Sequence, residues 1–119
     1  MFDLLPKTYM DFLKEYPEGW CYPEENESYF LTKEESKWSL KNELVELCEV
    51  SHLYPIMRTA SGDLVAIDLR HDNKIFDCCL DKKPESWSSI SNTFEDFLQL
   101  YKEKGVNISY EIVKEGSLG

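Results

Sequence analysis

The chain has 119 residues, of which 23 are acidic and 13 basic, for a formal net charge of −10; 42% are hydrophobic and 13% aromatic. That apolar share fits one domain with its own core and excludes a disordered chain, and no run approaches the roughly 20 apolar residues of a membrane helix. The negative field disfavours nucleic-acid phosphates and anionic membranes and favours a basic partner.

The acids are unevenly placed: residues 1–50 hold twelve against five bases, and residues 51–119 hold eleven against eight. The first fourteen residues, with Asp3, Lys7 and Asp11 among scattered apolar positions, match neither a secretory signal nor a basic transit peptide, so a cytoplasmic location is expected. In that compartment Cys21, Cys48, Cys78 and Cys79 are read as reduced, small buried hydrophobes. Cys78 and Cys79 are adjacent, His52 and His71 stand apart, and no C-x-x-C is present, so no metal and no cofactor is expected.

Leu5, Tyr9, Phe12, Leu13 and Tyr16 fall at helical spacing, with Pro6 suited to a first turn and Pro17 and Gly19 to a stop; a helix is expected over about 6–16. Residues 17–31 read as a loop with a short strand at 29–31. Thr32 and Glu35 have the spacing of a capping box, and Leu40, Leu44, Leu47 and Cys48 keep helical spacing, so a second helix is expected within 33–49.

The clearest extended signal follows. Runs 53–60 and 64–70 flank the turn Ser61-Gly62-Asp63, and Asp72-Asn73 leads into a third run at 75–80. Three strands with short turns make an antiparallel meander, and Pro55 argues that its first strand is an edge or starts late. Residues 81–90 read as a polar loop holding Trp87. Phe94, Phe97, Leu98 and Tyr101 predict a further helix, capped by Asn92 or Thr93 and closed at Gly105, and the alternation Val106, Ile108, Tyr110, Ile112 predicts a terminal strand or extended tail. The fold class is therefore α+β, a central antiparallel sheet with helices packed mainly on one face. Tyr9-x-Asp11-Phe12-Leu13-x-x-Tyr16 echoes Phe94-x-Asp96-Phe97-Leu98-x-x-Tyr101. Each is what a helix needs to lay an aromatic stripe on a sheet, and the echo is read as convergent packing.

No phosphate-binding, dinucleotide-binding, zinc-protease or nucleophile-elbow motif is present. Asp63, Asp68, His71, Asp72 and Asp77 gather along the hairpins, yet turn and sheet-surface chemistry accounts for them. The aromatic and acidic stretch 18–29 differs: Trp20, Tyr22 and Tyr29 are interface-anchoring types, and Glu24, Glu25 and Glu27 would steer a basic partner. The same rings could instead cover the core while the glutamates stay solvated. Asp63, Asp68 and Trp87 complete the set of candidate partner-binding residues; no catalytic residue is assigned.

Leu5-Pro6 followed by Tyr9 and Phe12-Leu13; Gly62-Asp63 followed by Ile67-Asp68; the hydrophobic strand at 75–80; and Ser91 with Phe94-Glu95-Asp96-Phe97-Leu98 come in this order over about residues 4–101. Together they resemble the SUKH superfamily, bacterial immunity proteins together with a related fungal cell-wall regulator. The resemblance implies an α+β domain without catalytic residues that binds another protein, in most bacterial members a cognate toxin, often a nuclease. Residues 1–119 are read as one such domain. It departs from the family in having only Met1–Leu4 before the Leu-Pro element, where a helix is usual, and Pro17-Glu18-Gly19 in place of asparagine-glycine. Two other readings stay open: a regulatory adaptor, as in the fungal branch, and a small enzyme or ligand-binding protein using Asp63, Asp68, Arg70 and His71.

Overall fold

The computed structural model describes residues 4–21, 27–70 and 72–104. Helix α1 (Lys7–Glu15) starts at Pro6, whose carbonyl accepts from the Met10 amide at 3.1 Å, and buries Tyr9, Phe12 and Leu13 at helical spacing. Strand β1 (Tyr29–Phe30) is followed by helix α2 (Lys33–Ser39). The Thr32 hydroxyl accepts from the Glu35 amide at 3.1 Å and the Glu35 carboxylate accepts from the Thr32 amide at 2.9 Å, the reciprocal capping box that the sequence spacing predicts.

Beyond Ser39 the helix widens into a π turn over Leu40–Val45. Ser39 and Leu44, five residues apart, both face inward, as π winding allows. Leu47, which straight α-helical spacing would place on the apolar stripe, is instead 72% exposed in the turn that follows.

Strands β2 (Leu53–Arg58), β3 (Leu64–Asp68), β4 (Ile75–Cys78) and β5 (Ser88–Ser91) complete a five-stranded antiparallel sheet in the order β1-β2-β3-β4-β5. The meander of β2, β3 and β4 is the predicted one. Pro55 lies in an inner strand, not at an edge. β1 reaches only Met57 and Arg58, so at Pro55 there is no ladder on that side to need an N–H, and the register shifts just beyond it. Strand β5 is a correction to the expected loop. Its Ser-Ser-Ile-Ser sequence has no apolar alternation, and its strand form comes from pairing with β4 after Trp87 turns inward.

Helix α3 (Phe94–Lys104) is capped by Thr93, whose hydroxyl accepts from the Asp96 amide at 3.1 Å. The expected closure at Gly105 and the terminal strand over 106–112 lie outside the described residues. Helices α1 and α3 share one sheet face, where Tyr9, Phe12, Phe94, Phe97 and Tyr101 pack on Phe30, Tyr54, Ile56, Val65, Ile67 and Ile75. The opposite side of the pleat carries Leu53, Leu64, Ala66 and Cys78, covered by Leu44, Val50 and Trp87. The helices thus pack against an antiparallel sheet, an α+β fold, and the two echoed sequences are the two helices lying side by side.

Candidate functional site

After α1 the chain turns at Gly19, whose φ of 86° suits glycine and whose Cα lies so close to the Phe30 carbonyl that a Cβ there would meet its oxygen at 2.8 Å. This close approach puts Trp20 beside β1: the Phe30 amide donates to the Trp20 carbonyl at 2.7 Å, and the Trp20 amide donates back at 3.4 Å. The Trp20 ring stacks on Tyr16 at 5.2 Å, meets Phe12 and Tyr101, and carries the Lys102 ammonium 5.8 Å from its centroid. One face of Trp20 therefore belongs to the aromatic core. Around it lies a depression of about 470 Å3 lined by Glu18, Gly19, Trp20, Cys21, Tyr29, Phe30 and Glu35, acidic and aromatic with no base on its wall.

Of the candidates from the 18–29 stretch, Trp20 and Tyr29 thus line one surface, Tyr29 being 38% exposed, and Glu27 is exposed nearby in sequence. Tyr22, Glu24 and Glu25 lie outside the described residues. Asp63, Asp68 and Trp87 sit elsewhere, at the ends of the sheet. Asp63 stitches the β2–β3 turn, accepting from the Leu80 amide at 3.0 Å and the Ser61 hydroxyl at 3.3 Å. Asp68 is 3% exposed and accepts from the Arg70 amide at 2.8 Å; Trp87 is 9% exposed and donates its indole N–H to the Cys79 carbonyl at 2.7 Å. Trp87 helps cover the sheet's second apolar face, and both it and Asp68 are buried, unlike the exposed Tyr29.

Asp77 is perturbed. Burial, then the nearby Asp63 carboxylate, raises its pKa to about 6 against an opposing pull from Lys82, and one of its oxygens has no hydrogen-bond partner. Among the described residues no three His, Cys, Asp or Glu side chains converge as metal ligands. His71 lies outside the described residues.

Two further surfaces escaped the sequence reading. Trp38 is 57% exposed on α2, with Val45 also exposed farther along. Trp38 lies off the Leu40–Leu44 stripe, and that offset is the signal that could have flagged it. A depression of about 520 Å3 opens between α1 and α2, floored by Met10, Leu13 and Pro17 with a rim of Lys14, Glu18, Lys33 and Glu34. It shares Glu18 with the acidic depression, so the two are contiguous around the end of α1.

Comparison with protein-family models matches residues 4–100 to the SMI1 / KNR4 family (SUKH-1). No curated protein and no solved structure matches the chain.

Proposed function

The chain belongs to the SMI1 / KNR4 family (SUKH-1), and from that premise we propose that it is a non-catalytic, cytoplasmic protein-binding domain, an immunity protein that neutralises a basic, nuclease-type toxin. The observation that carries the reading is the composition of the depression beside β1. Glu18 and Glu35 flank Trp20 and Tyr29 on a wall that itself carries no base, with Lys102 over the Trp20 ring and Lys14 and Lys33 on the adjoining rim, in a chain of net charge −10. Acidic groups around an aromatic wall attract a cationic surface and then bury apolar area against it. Glu27, exposed just before β1, adds to the same field, and Glu24 and Glu25 precede it in the sequence.

The test is to titrate the protein against candidate basic toxin domains and repeat it with Glu24→Lys, Glu25→Lys and Glu27→Lys combined. Binding by the parent that falls at least about tenfold in the triple variant supports the reading. An unchanged affinity removes its electrostatic part, and turnover of a specific substrate by the purified chain, abolished by Asp68→Asn, removes the reading altogether.

A further inference from the structure

Helices α1 and α3 run side by side over the sheet and leave a groove of about 280 Å3 between their outer flanks. Its floor is apolar, made by Phe12, Phe94 and Leu98; its walls carry Asp11 and Glu15 from α1 and Glu95 from α3. The Thr8 hydroxyl donates to Glu95 Oε1 at 2.9 Å, a bond from one helix to the other that fixes Glu95 at one end. Lys102 is the one base on the wall, and its ammonium sits 5.8 Å from the Trp20 ring centroid. Asp11 and Glu15 are exposed and make no salt bridge among the described residues.

From this we propose that the α1–α3 groove is a slot for an arginine side chain of the protein partner, an inference that deepens the proposed function and rests on it. The chemistry selects the occupant. A slot with an apolar floor accepts the methylene stem of a long basic side chain, and carboxylates on both walls face its charged head. Three carboxylates from two helices suit a planar group with five N–H donors better than the compact ammonium of lysine, which gives three. A second copy of this chain is a poor occupant, since both molecules carry the same negative field. The slot adjoins the acidic depression through Lys102 and Trp20, so one cationic surface can reach both.

The test uses the full chain, labelled with 15N, and titrates it with N-acetyl-arginine methylamide and, separately, with the neutral citrulline analogue. The arginine derivative is expected to give saturable amide shifts confined to residues 8–15 and 94–102, with the citrulline analogue giving none. Asp11→Asn combined with Glu15→Gln is expected to weaken the arginine derivative about fivefold, while Glu46→Gln, exposed in the π-turn segment, leaves it unchanged. Shifts absent or spread over the surface, equal shifts with citrulline, or an unaffected double variant would each overturn the slot. A basic toxin that binds parent and double variant equally removes the slot but leaves protein binding standing. Arginine seated in the groove of a chain that binds no basic toxin removes the proposed function and keeps the slot.

Discussion

Asp77 sits on β4 opposite Val65, with one oxygen unpartnered and Asp63 adding like charge. Because burial raises its folded pKa to about 6, from an ordinary value of 3.8, the native state holds the proton more tightly than the unfolded chain. Its contribution to stability is therefore present below about pH 4 and lost as pH rises through about 6. Asp77→Asn should raise stability at pH 8 by roughly 1–2 kcal/mol, a figure reduced for its partial exposure, and flatten the stability profile between pH 4 and 6. Denaturant melts from about pH 4 to pH 8 measure both; an unchanged profile would show that Asp77 is solvated in solution. Two buried tyrosines make a second contrast. The Tyr9 hydroxyl is buried without a hydrogen-bond partner, and burial pushes its pKa well up, whereas the Tyr101 hydroxyl donates to the Ser28 carbonyl at 2.6 Å and ties α3 to the start of β1. Tyr9→Phe should be neutral or slightly stabilising, and Tyr101→Phe should cost about 1–2 kcal/mol in thermal or urea unfolding.

The π turn over Leu40–Val45 is held to the sheet by Arg58. Its guanidinium donates to both carboxylate oxygens of Glu43, one at 2.8 Å, to the Ser39 hydroxyl at 3.1 Å, and to the Gly62 carbonyl at 3.1 Å. One β2 side chain thus joins α2, the π turn and the β2–β3 turn. Hydrogen bonding from Arg58, the largest influence on Glu43, lowers its pKa, so the pair's contribution is present at neutral pH and lost as pH falls below the ordinary glutamate range. A double-mutant cycle with Arg58→Met and Glu43→Gln should give a coupling of about 1–2 kcal/mol at pH 7. The coupling should shrink as pH falls below the ordinary glutamate range and Glu43 takes up a proton. A coupling near zero at pH 7 would mean that packing of Leu44 alone seats the π turn.

Seven of the ten surplus negative charges lie in the first fifty residues, the part that supplies Asp11, Glu15, Glu18 and Glu35 to the surfaces around α1. A surplus of negative charge orients an approaching cation before contact. Association with a basic toxin should therefore slow steeply as salt rises from 50 to 500 mM, while dissociation changes much less, in stopped-flow or surface-binding kinetics. Salt-independent association would place recognition on the apolar faces, Trp38 among them, and not on the acidic ones.

The sequence by itself determined the α+β class, the meander, the α1 and α3 stripes and the Thr32 capping box, because each is written in local spacing that the backbone reads directly. The family resemblance was legible for the same reason: its motifs are helix starts, a turn and core faces. Tertiary structure decided the rest. Strand β5 exists because β4 offers it a ladder, and Pro55 lies inside the sheet because β1 is too short to demand its N–H. Leu47 points outward because the π turn breaks a register that sequence spacing assumes. Trp20 divides between core and surface because the close passage of Gly19 against Phe30 brings it to β1. Which acids share a surface was likewise invisible in the chain, since Asp11 and Glu95 lie 84 residues apart and meet only where two helices pack on one sheet face.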